Sequence, residues 1–339
     1  MLWLWLGFII FILLLLALDL GVFHRHAHVV SLRESLTWSA IWIALGLAFG
    51  GFVYVAYEQH WMALGTTPDA ADGSLNNGRE ALLKYLTGYV VEKSLSIDNV
   101  FLIAMIFASF GVPALYQHRV LFWGVVGALL MRGVLIAVGA ALIARFHLLL
   151  YLFGALLLLT GLKMLFFRSQ STDPRDHWLV RLTRKLVPVA DHFDGERFIT
   201  RSPGGNRLLT PLALALILVE ASDLLFAVDS IPAIFAITAD PFLVFTSNVF
   251  AMLGLRSLYF ALAQLIEKFR YLKVSLALIL LLVGGKMLAV EPLRDWLGSH
   301  FHFHLLAIIL GILAAGVIAS WLVPLRKDAT NTPPIAPKT

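Results

Sequence analysis

Six carboxylates stand inside stretches that are otherwise apolar: Asp19, Glu92, Asp98, Glu220, Asp223 and Asp229. A charge at the centre of a membrane helix costs about 2.5–3.5 kcal/mol, so six cost on the order of 15–20 kcal/mol unless pairing, protonation, water or a cation offsets them. Five of the six fall in two short segments, 92–98 and 220–229. Glu220 and Asp223 are three apart and share a helical face. Asp229 lies six beyond Asp223, roughly 600° of turn, so a straight helix aims it elsewhere. Pro232 follows, and a kink or unwound stretch near Val228 would bring Asp229 to the same cavity. Glu92 and Asp98 are also six apart, with Ser94 and Ser96 between them, and an opened turn in each segment would add backbone carbonyls as ligands. With the amides of Asn99 and Asn248 and the hydroxyls of Ser222 and Ser230, every donor is oxygen, which suits hard divalent cations such as Mn²⁺, Mg²⁺ and Ca²⁺. Basic residues lie in the same runs. Arg132 and Arg256 are the candidate charge partners, and a purely structural charge network is the alternative to cation binding. Lys84, Lys163 and Lys286 lie at helix ends and are expected to snorkel. Lys93 adjoins Glu92 and points to a different side of a regular helix.

The elements that position these groups are membrane helices. Of 339 residues, 60% are apolar, 14% charged and none cysteine, with a mean hydropathy of +0.85. Soluble domains carry about 25% charged residues, so an ordinary soluble enzyme, a disordered chain and a disulfide scaffold are excluded. Without cysteine there is no thiolate metal site, iron–sulfur cluster or CxxC redox pair. No GxSxG, HExxH, Walker or Rossmann fingerprint stands in a fitting context, so neither an enzyme nor a bound cofactor is expected. The net charge of +5 sits mostly in loops between apolar runs, where lipid headgroups account for it better than nucleic acid does.

Nine runs are long enough to span: roughly 2–23, 36–57, 82–109, 119–143, 147–167, 210–237, 241–266, 273–290 and 303–323. The first has no positive n-region and no small-residue cleavage site, and is read as a retained helix. With the N-terminus outside, inner loops hold seventeen Lys and Arg and outer loops three, so the basic-residue rule favours nine crossings with a cytoplasmic C-terminus. The fold expected is an all-α polytopic bundle, one transmembrane domain over 1–325 with a disordered tail at 326–339. The cytoplasmic loop 168–209 is basic, and Trp178, Leu179, Leu182 and Leu186 give it an amphipathic pattern suited to a short interfacial helix.

Repeat A, 82–167, resembles repeat B, 210–290. Asp98-Asn99-Val100-Phe101 matches Asp223-Leu224-Leu225-Phe226 at an offset of 125, Leu130-Met131-Arg132 matches Gly254-Leu255-Arg256 at 124, and Gly161-Leu162-Lys163-Met164-Leu165 matches Gly284-Gly285-Lys286-Met287-Leu288 at 123, while a competing register pairs Val91-Glu92-Lys93-Ser94 with Val219-Glu220-Ala221-Ser222. Each repeat holds three helices, so the copies cross in opposite senses, a plan that recurs in secondary transporters with the site where the repeats meet. Inverted symmetry would set Arg132 and Arg256 on opposite sides of one cavity, each facing an acid. Asp19 ends its run and is either an interfacial acid or part of a pathway. Histidines cluster at His24, His26, His28 and at His300, His302, His304; members four apart can collect a metal, and polar helix ends explain them equally.

Glu92-Lys93-Ser94-Leu95-Ser96-Ile97-Asp98-Asn99-Val100-Phe101 resembles the hallmark of the TerC family of integral membrane proteins. So does Glu220-Ala221-Ser222-Asp223-Leu224-Leu225-Phe226-Ala227-Val228-Asp229-Ser230-Ile231-Pro232, supported by Asn248-Val249-Phe250-Ala251-Met252-Leu253-Gly254-Leu255-Arg256 and Lys286-Met287. The resemblance covers about 1–325. Size, the starting helix and the histidine-bearing loop look most like the family's bacterial Alx branch. The resemblance implies a bacterial inner-membrane location, metal homeostasis and, for Alx-like members, manganese export. It marks Glu92, Asp98, Asn99, Glu220, Asp223 and Asp229 as the metal site. The expected function is export of Mn²⁺ or a similar divalent ion, coupled to protons. The rivals are a non-transporting assembly or stress-tolerance factor, tellurite resistance included, and an exporter of small organic solutes whose carboxylate Arg132 or Arg256 would bind. The expected partners are the ion and the lipid bilayer.

Overall fold

A computed structural model describes residues 2–21, 31–146, 148–166, 174–202, 204–263, 271–289 and 301–322. The tail, the first histidine group, His300 and the side chain of Asp19 lie outside the described residues. Eleven helices are described: α1 Leu2–Gly21, α2 Leu32–Glu58, α3 Gly78–Phe110, α4 Ala114–Arg145, α5 Leu148–Phe166, α6 Trp178–Leu186, α7 Pro211–Phe235, α8 Pro241–Met252, α9 Leu255–Ala263, α10 Leu272–Leu288 and α11 Phe301–Leu322. Helix covers every one of the nine apolar runs, and the chain is a polytopic helical membrane protein. By length and apolar composition, α2, α4, α5, α7 and α11 qualify as spans, five in all, or six with the bent α8–α9 pair. That criterion therefore leaves the count of nine crossings unfixed.

Local signals set the helix ends. Asn77 Oδ1 accepts the Glu80 amide at 2.9 Å to cap α3, and Gly111 closes that helix at φ +63°. Thr210-Pro211 and Asp240-Pro241 start α7 and α8, each pairing a side-chain cap with a proline at the first turn, where its missing N–H costs nothing. The basic loop forms α6, as its pattern predicts, and adds a small antiparallel hairpin, β1 Ile199–Arg201 with β2 Arg207–Leu209.

The helix pairings map onto themselves when the two three-helix units are exchanged. α3 packs against α7 and α5 against α10, while α3 lies on α8 and α9 as α7 lies on α4. Glycine lets α5 and α10 approach closely: a Cβ on Gly284 would stand 2.9 Å from the Gly154 carbonyl oxygen.

The expected opening of α3 and α7 is absent. Both run as single helices, with Pro232 inside α7. The donor Pro232 lacks falls in the last turn, where few later bonds depend on it. The break comes instead in the second unit's middle helix, where α8 and α9 bend by 41°. Gly254 takes φ +78°, and a Cβ there would meet the Trp42 side chain at 2.7 Å. Gly254→Ala should therefore cost more than about 1 kcal/mol, through backbone and clash together, and thermal unfolding in detergent measures it.

Candidate functional site

At the crossing of α3, α4 and α7 lies a buried ionic cluster. Arg132 of α4 is 1% exposed and Glu92 of α3 is fully buried. The Arg132 guanidinium donates to Asp223 of α7 through Nε at 3.0 Å and Nη2 at 2.9 Å, a bidentate pair. Its Nη1 donates to Glu92 and, at 3.2 Å, to Ser230 Oγ. Asn99 Nδ2 donates to Asp223 Oδ1 at 3.3 Å. Glu220, one turn before Asp223, rests on Gly127 of α4, where any Cβ would stand 2.0 Å from its Oε1. One guanidinium thus faces Glu92 and Asp223, with Glu220 adjoining, so acid outnumbers base. Asn99 Oδ1 and Glu220 Oε2 are buried with no hydrogen-bond partner. Buried oxygens without partners are costly and call for an explanation such as an ion or water. Asn99, with Ser222 and Asp223 among apolar groups, lines a cavity of about 20 Å³, enough for one water.

The structure divides the six predicted ligands. Glu92, Asn99 and Asp223 meet through Arg132, with Glu220 adjacent. Asp98 is half-buried on another face of α3 and feels the Lys273 ammonium of α10. Asp229 accepts from Thr160 of α5 at 3.1 Å. Six residues along an unbroken helix turn the side chain to a different face, and neither helix opens. Among the described residues no three His, Asp or Glu side chains converge as a metal-binding group. Arg132 meets acids of both α3 and α7, as the inverted repeat predicts for it. Arg256 is buried at the start of α9, beyond the bend, and takes no part in the bonds described for the Arg132 cluster.

Two lysines expected at the headgroups are buried instead. Lys286 Nζ donates to the Ala236 carbonyl at the end of α7 at 2.6 Å and lies over the Phe301 ring. Lys84 is 0% exposed and sits among Asp69 Oδ2 and Asp72 Oδ2, both at 2.9 Å, and Asn76 Oδ1 at 2.7 Å. The connection before α3 folds inward and supplies these acids, so the lysine has partners without reaching water. Lys163 is exposed, as expected. Lys93 points away from Glu92 and donates to the carbonyls of Ala251 and Leu253, at 3.0 and 3.2 Å, stabilising the broken end of α8.

The Lys84 network is the second buried site, and sequence reasoning missed it. Asp69 also accepts from Thr238 Oγ1 at 2.5 Å and the Ala239 amide at 2.7 Å, joining the α7–α8 connection. His302 Nε2 of α11 lies 2.8 Å from Asp72 Oδ2 and 3.7 Å from Glu80 Oε2. Burial opposes ionisation of Asp72, but the His302 hydrogen bond and Lys84 outweigh it and hold the carboxyl well below the usual range. Asp69 is likewise lowered, Lys84 overcoming its burial. Burial, reinforced by Asp69, pushes Asp240 up. The available signal was the polar run Asp69-Ala70-Ala71-Asp72-Gly73-Ser74-Leu75-Asn76-Asn77, unusually rich in acceptors for a loop facing a lysine.

Comparison with known proteins adds the following. The profile described as "Integral membrane protein TerC family" matches residues 77–328. An uncharacterised membrane protein of Myxococcus xanthus is 48% identical over 328 residues, covering 97% of this chain and 94% of that one. "Putative membrane-bound redox modulator Alx" of Escherichia coli K12 is 42% identical over 329 residues, 96% of each chain. The protein of the same name from Photorhabdus laumondii is 44% identical over 329 residues, 97% of each. No solved structure matches.

Proposed function

The chain belongs to the TerC family of integral membrane proteins, and on that footing we propose that it exports Mn²⁺ or a similar divalent cation. The carrying observation is the Arg132 cluster: Glu92 and Asp223 buried on one guanidinium, with half-buried Glu220 adjoining, so that acid exceeds base, beside the unpartnered oxygens Asn99 Oδ1 and Glu220 Oε2. The arginine acts as a tethered cation that holds Glu92 and Asp223 when no ion is bound. An arriving divalent ion competes with it for the same oxygens, Asn99 and Glu220 add oxygen donors, and the guanidinium swings aside. Alternate protonation and metal binding of these carboxylates would couple export to protons. Asp98 and Asp229, on other faces of the same helices, would serve as stations along the route. The protein works in the bacterial inner membrane without enzymatic activity or resident cofactor, N-terminus outside and C-terminus cytoplasmic. The E. coli relative's name speaks of redox modulation; this sequence has no thiol, and a shift in cellular manganese is the route by which an exporter would alter redox balance.

Flux through the purified protein in liposomes, across Mn²⁺, Mg²⁺, Ca²⁺ and Zn²⁺, tests the proposal. Saturable Mn²⁺ transport is expected. No flux of any ion would leave the Arg132 cluster as architecture and favour the assembly or stress-tolerance role. Orientation is tested by single cysteines, since the chain has none of its own. An impermeant maleimide applied to intact cells should label Thr67→Cys and leave Arg184→Cys untouched; the reverse pattern would overturn the stated topology.

A further inference from the structure

Helix α6 presents three different faces around its nine residues. At about 100° per residue, Leu179, Val180 and Thr183 occupy one arc. Val180 is buried on the core where α3 ends and α4 and α7 begin, and Leu179 packs against it. Trp178, Leu182 and Leu186 follow at four-residue spacing on a second arc, and they are 59%, 42% and 71% exposed. Arg181, Arg184 and Lys185 fill the third arc, exposed, and among the described residues no acid pairs with them. Two acids of the following segment are engaged elsewhere: Asp194 lies by Arg197 and accepts from Thr200, and Glu196 lies 3.4 Å from Arg119. An exposed Trp-Leu-Leu stripe needs a cover. A stripe of that kind flanked by exposed cations is the pattern of a helix lying in a bilayer interface, apolar side chains below the phosphates and basic ones among them.

We propose that α6 is an interfacial foot that docks on an anionic lipid surface, its Trp178–Leu182–Leu186 stripe immersed and Arg181 and Lys185 bound to the headgroups. The opposite face, fixed where α3 ends and α4 and α7 begin, then ties lipid charge to that end of the bundle. Charge complementarity and exposure make α6 fit such a surface whether or not the chain moves cations.

The native chain lacks cysteine, so Leu182→Cys, Leu186→Cys and Arg184→Cys each carry one nitroxide in the full-length protein. They are reconstituted into vesicles of phosphatidylglycerol with phosphatidylcholine, or of phosphatidylcholine alone. Labels at 182 and 186 should collide several-fold more with oxygen than with an aqueous nickel chelate in the anionic vesicles, and the label at 184 should do the reverse. Adding Arg181→Gln and Lys185→Gln should return the 182 label to its phosphatidylcholine depth; both side chains are exposed, so folding is preserved. Four results would each overturn the proposal: an aqueous label at 182, equal depth in both lipids, dipolar broadening at 182 from a second copy, or shielding from both collision agents by another protein.

Discussion

Arg132→Met should lower the stability of the detergent-solubilised protein by about 3–5 kcal/mol, because it strands Glu92 and Asp223 as buried, unpaired charges. The same variant carries the sharpest test of ion exchange. If Arg132 is a stand-in for a divalent ion, removing it leaves the oxygens permanently open, and Mn²⁺ should raise the melting temperature of Arg132→Met far more than that of the native protein. Metal at a hundred times its dissociation constant contributes about 2.7 kcal/mol, enough to restore much of the loss. A variant that is destabilised but indifferent to every divalent ion would reduce the cluster to a structural ion pair. Asp223→Asn should insert and fold yet bring Mn²⁺ efflux to background, since it removes the carboxylate that Arg132 grips with two bonds and Asn99 contacts with a third. Asp98→Asn lies off that cluster and should retain ion binding. Equal loss of binding in both variants would mean that the site is not centred on the Arg132 cluster.

Lys84→Met is expected to cost about 3–5 kcal/mol as well, with an opposite response to pH. In the native chain Asp69 and Asp72 have lowered pKa values. Their stabilisation is complete above the ordinary aspartate range, near pH 4, and is lost as pH falls through the lowered values. Without the Lys84 ammonium, burial dominates and the two carboxyls rise above their unfolded values. Protonation then favours the folded state, so the variant should gain stability as pH falls from about 7 to 5, while the native protein stays level. Melting temperatures across that range decide it; a variant as flat as the native protein would mean that His302 alone compensates Asp72. The expected cost is large because the network joins four places in the chain: the connection before α3, α3 itself, the α7–α8 connection and α11.

The membrane class and the positions of the helices were legible in the residues alone. Continuous apolar runs with glycine and proline punctuation leave the backbone no alternative to helix in lipid. That these carboxylates need compensation was legible too, because a charge in an apolar run is costly wherever the helix goes. Which acids meet was decided by tertiary structure. Spacing along one helix fixes a face, and the sequence correctly set Asp229 and Asp98 apart from Asp223 and Glu92 on straight helices. The expected kink that would reunite them is absent, because the α7 proline falls in the final turn; the bend lies in another helix, at Gly254, where a positive φ and the Trp42 side chain leave room only for glycine. Arg132 and Arg256 occupy equivalent sequence positions in helices of different shape: α4 is continuous and its counterpart is broken two residues before the arginine. Lys84 and Lys286 show the limit most plainly. Snorkelling is the default for a lysine near a helix end, and it is overridden only when distant segments, here 69–76, 236 and 302, deliver acceptors to the ammonium or its neighbours. No local pattern records such partners, because contacts between residues far apart in the chain form only when the helices have packed.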